Sequence, residues 1–444
     1  MKQSTYNRVV PIPESGQVLL FNGVTTAMLK LNGRSYARAR GILSACDAGD
    51  FVPVGSDEDV LLEKLVDGRF IIPDDFDELE FLKTRYHLSR FNDAFSLTIL
   101  PTLACNLECV YCYEERRPGV MTKEIERAVC AFAEEKVTND RPARFSVSWY
   151  GGEPLLASST IRRLSEKFIE IAELNGIPYK ATMTTNGTLL TNLMADELVK
   201  HNVVAMQITL DGPKEIHDAR RPMANGKGSS FDTIVENLEN VAGRMTVSIR
   251  INTDKQNAAR ATELLELFDK KGWIGKSPGF YPYMTPVSEL TEVCSPAAGN
   301  CCTIGSLFEV SQDFCMECAE RGVPVKTHSL YHFPICRKFN CGAVGVNSIG
   351  VVPSGALHKC SLTVSDDTQA VGHITRPLDL ANPKLLKWLS FDPFSYKECR
   401  ECNLLPNCLA SCPKRALDGQ DPARSDSCRY LREHIDARLL MHGE

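Results

Sequence analysis

The stretch Thr102-Leu103-Ala104-Cys105-Asn106-Leu107-Glu108-Cys109-Val110-Tyr111-Cys112-Tyr113 decides how the rest of the chain is read. It follows an apolar run, Phe95-Ser96-Leu97-Thr98-Ile99-Leu100-Pro101, that predicts a buried strand. The cysteines then lie on the loop leaving the C-terminal end of that strand. Three thiolates on one short loop can hold three irons of a cubane cluster and leave the fourth iron without a protein ligand. Such an iron can bind and reduce a substrate or cofactor. A closed zinc site would want a fourth ligand close by, and the loop offers none.

Around this loop lie 444 residues, 43% hydrophobic and 24% charged, with net charge −6. That is the composition of a soluble globular protein long enough for two or three domains. The mild acidity gives no electrostatic reason to expect nucleic acid as a partner. Residues 1–11 lack the apolar core of a signal peptide, and no run of about 18 apolar residues predicts a membrane span. Without an export signal, 18 cysteines point to metal or cluster ligation rather than disulfides, and to a reducing cytoplasm.

Residues 1–94 contain only Cys46 and no metal-ligand spacing. They predict a hairpin of residues 8–12 and 17–21 across Pro13-Glu14-Ser15-Gly16. Helices follow at 34–46, 57–65 and 75–88, with a turn and short strand near residues 68–72. Strands plus three helices resemble the winged-helix peptide-binding domain fused to many peptide-modifying enzymes. The resemblance implies capture of a leader peptide as an added strand; a structural cap is the alternative.

From residue 95 to about 284 strand-like and helical segments alternate, the mark of a parallel sheet with crossover helices. The later strands are expected at 144–150, 179–184, 203–210, 245–252 and 280–284. Helices are expected at 122–136, 159–175, 193–201, 231–242 and 258–271. The C-x3-C-x-aromatic-C spacing, with Tyr111 as the aromatic, resembles the signature of the radical S-adenosylmethionine (SAM) enzymes. Six strand–helix units suit that family's partial (β/α)6 barrel, an α/β fold with its active site at the C-terminal strand ends. Gly151-Gly152-Glu153-Pro154 follows the second strand and matches the family's G-G-E-P motif, which binds the SAM amino group; Glu153 can pair with an ammonium, and the glycines permit close approach of a ligand. The resemblance also places Thr185 and Thr209 against the methionine carboxylate and ribose. Asp211 and Arg250 are further polar residues expected at the barrel mouth. Asn186-Gly187 and Asp211-Gly212 are equally good turn dipeptides.

Near the C-terminus, Cys341 is followed by Gly355 and Cys360, then Cys399, Cys402, Cys408, Cys412 and Cys428. These intervals resemble the SPASM domain, which carries two auxiliary [4Fe–4S] clusters in radical SAM peptide maturases. The resemblance implies Cys341, Cys360 and Cys412 for one cluster and Cys399, Cys402, Cys408 and Cys428 for the other. Cys336 is either the fourth ligand of the first, or leaves an iron open to a substrate thiolate. A zinc ribbon would explain the Cys399/Cys402 pair alone. Cys46 and Cys130 read as apolar core residues. Cys294, Cys301 and Cys302, with Cys315 and Cys318, form no ligand quartet, and the likeliest linker spans residues 290–300. The expected organisation is thus 1–94 peptide recognition, 95–289 partial barrel, 290–335 bridge and 336–444 SPASM domain.

The resemblance implies SAM and three [4Fe–4S] clusters as cofactors and a ferredoxin or flavodoxin as electron donor. It implies hydrogen abstraction from a ribosomally made precursor peptide with a leader, closing a thioether or carbon–carbon cross-link. An anaerobic sulfatase maturase forming formylglycine is one alternative. Its family members carry an aspartate base directly after the G-x4-C cysteine, where this chain has Ser361, and begin close to their first cluster. Backbone excision and epimerisation are others. A non-enzymatic iron–sulfur or zinc redox sensor would need neither Gly151–Pro154 nor an open cluster.

Overall fold

The computed structural model describes residues 1–13, 15–49, 60–91, 94–276, 278–287, 301, 304–323 and 334–442. The chain forms two compact units, and each gathers separate stretches of sequence. One contains Met1–Phe91, His332–Val344 and Phe391–Glu444; the other contains Asn92–Tyr331 and Gly345–Ser390.

The larger unit is built on six parallel strands in chain order: Ala94–Ile99, Arg144–Trp149, Tyr179–Thr184, Val203–Thr209, Thr246–Thr253 and Phe280–Pro286. The expected helices stand between them, at Lys123–Asp140, Ser158–Leu174, Asn192–Lys200, Ser230–Leu238 and Glu263–Lys270. A short helix that periodicity did not suggest, Lys214–Arg220, follows the fourth strand.

Alternation along these strands separates two chemistries. In the second strand Phe145, Val147 and Trp149 are buried while Ser146 and Ser148 alternate with them. Phe145 packs against Phe95 and Tyr179 of the flanking strands and against Phe168 of the helix Ser158–Leu174. Phe95 meets Phe132 of the helix Lys123–Asp140. The helix-facing layer is therefore apolar, each such side chain contributing about 1.5–3 kcal/mol on burial. The opposite face carries small polar groups, with Ser148 and Thr182 hydroxyls 3.0 Å apart.

The sheet also extends past the six strands. Ser348–Val351 pairs in parallel with Ala94–Ile99, and Ala356–His358 and Gly372–His373 continue antiparallel. Residues 345–390 are thus drawn into the barrel unit by strand pairing, although the cysteine array had grouped them with 336–444.

In the smaller unit Asn7–Ile12, Gln17–Asn22 and Met28–Leu31 form a three-stranded antiparallel sheet with Gln17–Asn22 in the centre. One face, with Leu20 and Leu31, packs on Leu43 and Cys46 of the helix Gly33–Ala48. The other, with Val10, Leu19 and Phe21, packs on Ile435 and Leu439 of the helix Asp426–Leu440. The first ninety residues therefore share a core with the C-terminal segment. The helices expected at 57–65 and 75–88 are found at Val60–Asp67 and Glu78–Arg90, residues 57–59 lying outside the described ones. The expected linker at 290–300 also falls outside them, as do Cys294 and Cys302.

One close approach fixes the chain just after the first two strands. Gly151 adopts φ +121°, and a Cβ there would stand 2.3 Å from the Thr102 carbonyl oxygen. A Cβ on Gly152 would stand 2.3 Å from the Ala104 oxygen. Glu153 N–H donates to that same oxygen at 2.8 Å. The glycines admit the backbone of the cysteine loop itself. Gly152→Ala should therefore lower stability by about 1–3 kcal/mol, read by urea unfolding. Gly41→Ala, within the helix Gly33–Ala48, where nothing lies within 4 Å of the added carbon and φ is not left-handed, should cost nothing; an equally small change in Gly152→Ala would mean the contact relaxes freely.

Candidate active site

Cys105, Cys109 and Cys112 line one open cleft at the C-terminal ends of the strands. Its other walls are Tyr150–Gly152, Thr184–Asn186, Gln207, Thr209, Arg250, Asn252 and Val287, contributed by five successive strand ends. About 1040 Å³ of space lies between these walls, open solvent included.

The cysteine loop has almost no regular structure of its own, so it is held by its neighbours. On one side are Gly152 and Glu153. Asn106 reaches the loop after the third strand, accepting from Asn186 Nδ2 at 2.8 Å and donating to Thr188 Oγ1 at 2.8 Å. On the other side Glu108 N–H donates to the Pro222 oxygen at 2.8 Å and Val110 N–H to the Arg220 oxygen at 3.0 Å. Burial pushes the Cys105 thiol up to about 11, and raises Cys109 and Cys112 as well. Loading iron on these thiols must therefore displace protons.

Two of the expected cofactor residues lie behind the cleft wall. Glu153 is fully buried and does not line the cleft. Its carboxylate accepts from Thr185 Oγ1 at 2.8 Å, Asn186 N–H at 2.7 Å and Leu155 N–H at 2.9 Å. It ties the second strand end to the third. Asp211 is likewise 0% exposed, below the mouth. It accepts from the Tyr111 hydroxyl, from Asn252 N–H at 3.0 Å and from Arg220 Nε at 3.4 Å. Thr185, Thr209 and Arg250 do line the cleft; Pro154 is buried in the turn that follows.

Motif reading missed four further groups. Arg220 ends the unforeseen helix and Arg221 follows it, and the Arg-Arg-Pro run so soon after Asp211-Gly212 was the available signal. Tyr113 and Glu114 directly follow the third cysteine. The Tyr113 hydroxyl meets that of Tyr150 and also Ser361. Glu114 is 6% exposed with Oε2 unpartnered, and burial pushes its carboxyl up to about 7.

In the smaller unit Cys399, Cys402, Cys408 and Cys428 line a second, apolar pocket with Leu404, Leu405 and Leu431. Burial pushes Cys399 up to about 12 and Cys408 up to about 11, and Arg432 offers its charge to Cys402 and Cys428. Between Cys408 and Cys412, Leu409, Ala410 and Ser411 all have positive φ, 51° to 61°. Such non-glycine conformations cost about 1–2 kcal/mol each, and Asn340 Nδ2 holds them by donating to the Leu409 and Ser411 oxygens at 3.0 and 3.3 Å. Cys336 is buried in this unit, and Arg85 donates to its sulfur at 2.9 Å and its carbonyl at 3.1 Å. Cys341 and Cys412 belong to the same unit, Cys360 to the other. Among the described residues no three His, Cys, Asp or Glu side chains are arranged around a single metal ion; a cubane, being wider, spreads its thiolates further apart.

Among the remaining described cysteines, Cys301 is half-buried. Cys46 is core, Cys130 half-buried, and Cys315 and Cys318 are fully buried on the helix Ile304–Glu320. No helix among the described residues is long and apolar enough to cross a membrane.

Comparison with known proteins agrees with this geometry. Residues 99–268 match the sequence model of the Radical SAM superfamily. The chain is 27% identical to the cysteine-type anaerobic sulfatase-maturating enzyme of Clostridium novyi, over 45% of this chain and 54% of that protein. It is 32% identical to the mycofactocin maturase MftC of Mycolicibacterium smegmatis, over 38% of this chain and 41% of that protein. The chain thus spans about half or less of the length of these curated relatives. Among solved structures, native anSMEcpe with bound AdoMet and Kp18Cys peptide superposes with TM-score 0.61 at 17% identity, over 79% of this chain and 99% of that one. Streptococcus suis SuiB bound to precursor peptide SuiA gives 0.53 at 17% identity, over 96% and 99%. At such identities the likeness is one of fold. The superfamily match makes residues 99–268 a radical SAM domain, and it falls within the six strands of residues 94–286 that carry the cysteine loop after the first and the cleft at their ends.

Proposed function

We infer that the chain is a radical SAM peptide maturase, abstracting a hydrogen from a ribosomally made precursor peptide and installing a thioether or carbon–carbon cross-link. The observation that carries this reading is the convergence of Cys105, Cys109 and Cys112 on a cleft walled by five strand ends. A [4Fe–4S] cluster with SAM would supply a 5′-deoxyadenosyl radical there. Thr185, Thr209 and Arg250 offer polar groups for the cofactor, while Glu153 holds Thr185 in place.

Cross-linking costs the peptide two hydrogens: one goes to the deoxyadenosyl radical, the other leaves as a proton and an electron. Cys399, Cys402, Cys408 and Cys428, which line one pocket, would hold an auxiliary cluster able to take up this electron, one of three clusters in all. The outer strands Asn7–Ile12 and Met28–Leu31 each have one edge unpaired among the described residues, which supports leader capture by strand addition.

The anaerobic sulfatase maturase is the second reading, favoured by the Clostridium novyi relative. Against it stands Ser361, a hydroxyl engaged with Tyr113, where that chemistry uses an aspartate.

Three outcomes are expected. Anaerobically reconstituted protein should hold about twelve irons, four per cluster; replacing Cys105, Cys109 and Cys112 with Ala should remove about a third of them and abolish 5′-deoxyadenosine formation. Surviving SAM cleavage would sink the site assignment. With the peptide encoded beside the gene, Cys408→Ala should form 5′-deoxyadenosine without the two-hydrogen mass loss. A wild-type mass shift would remove the relay role, and a formylglycine product would select the sulfatase reading. Hydrogen exchange should slow in Asn7–Ile12 or Met28–Leu31 when that peptide is added; unchanged rates in both would leave the N-terminal sheet a structural cap.

A further inference from the structure

The adjacent arginines Arg220 and Arg221 meet the cysteine loop on the side away from Gly152. Their backbone is in register with it: besides the two hydrogen bonds to Glu108 and Val110, Leu107 and Met223 form an antiparallel bridge, and Ala224 N–H donates to the Asn106 oxygen at 2.9 Å. This pairing fixes both side chains relative to the cysteines.

The two charges have opposite surroundings. Arg220 is neutralised by Asp211 and Asp254, donates to the Asn252 oxygen at 2.8 Å and lies over the Tyr111 ring at 5.0 Å. Arg221 is 7% exposed and lines the cleft together with the three cysteines. Its Nη1 donates to the Tyr111 hydroxyl at 2.7 Å, while Nε is buried without a partner. Among the described residues it makes no ion pair. A guanidinium stays charged at any working pH, and a buried cation without a counter-ion is costly. Its charge is felt at all three thiols, and at Cys109 it is the foremost influence after burial.

We propose that Arg221 is the fixed counter-charge of the catalytic [4Fe–4S] cluster, raising its reduction potential and stabilising the loaded loop. This rests on the radical SAM reading of the cleft. With three cysteinate ligands the oxidised cluster carries a single net negative charge. Accepting one electron from a ferredoxin- or flavodoxin-class donor doubles it, with no proton required. A nearby cation stabilises the doubly charged form more, so reduction becomes easier. Arg221 is a positioning and tuning residue in this sense, with no claim on the substrate.

The test is an EPR-monitored redox titration of the reconstituted full chain without SAM. The catalytic cluster is identified by the signal that later changes when SAM is added. Arg221→Gln should cut the ratio of reduced to oxidised cluster at fixed potential about tenfold, a shift of about 59 mV for one electron. Arg221→Lys, which keeps the charge, should restore most of it. If Arg221→Gln loads no cluster there but Arg221→Lys does, the charge is still what matters. An unchanged potential in Arg221→Gln, with only SAM affinity weakened, would overturn the proposal and make Arg221 a cofactor-carboxylate ligand. Failure of both variants to load would reduce it to a structural clamp. Absence of any SAM-responsive signal in the unmodified protein would overturn the site reading itself.

Discussion

The structure of the barrel unit depends on holding an irregular loop rigid from both sides. A three-cysteine loop cannot satisfy its own backbone groups as a helix or strand would. Here Ala104 receives Glu153 N–H from one neighbour, and Glu108 and Val110 donate to Pro222 and Arg220 on the other. Both contacts are backbone to backbone. The cysteine thiols are thus not needed to hold the loop, whose position is set by main-chain geometry together with the Asn106 and Tyr111 side chains. The close approach at Gly151 and Gly152 follows from this, since any Cβ would occupy the space of the carbonyls being bonded.

The second constraint is charge in a dry place. Asp211, Asp254, Arg220 and Glu153 are all buried around the strand ends. Each is matched: the two aspartates to Arg220, and Glu153 to three N–H or O–H donors. Unmatched, any one would cost several kcal/mol. This network leaves Arg221 and Glu114 as the groups with an unsatisfied buried atom facing the cleft, and so separates scaffold charges from those available to a ligand.

Much of this was legible in the sequence. Period-two alternation, helix-length segments between and turn dipeptides at strand ends gave six strands within a residue or two, because each strand buries one apolar face on helices. The cysteine spacings were legible because they are local. What failed was non-local. Nothing in Ser348–Val351 announces that it will pair with Ala94–Ile99, and nothing in residues 7–22 announces a partner helix four hundred residues on. The donors to Glu153, thirty-odd residues away, were hidden for the same reason.

The alternation of the strands also explains how a barrel can be hollow enough to work. Complete βα barrels fill their interior with layers of branched apolar side chains. In this chain the inward positions are Ser148, Thr182, Gln207 and Ser248, and they pair with one another, with Tyr283 or with backbone. Stability has therefore moved outward, to the Phe95, Phe145, Phe168 and Trp149 layer between sheet and helices. Because that layer is packed independently of the cleft, the inner face can carry polar, cofactor-sized space without an apolar plug. The cost is that the cleft has no core of its own to position its residues. Buried hydrogen bonds must do that instead, which is why Glu153 and Asp211, of all the acidic residues near the strand ends, are the ones with no exposure at all.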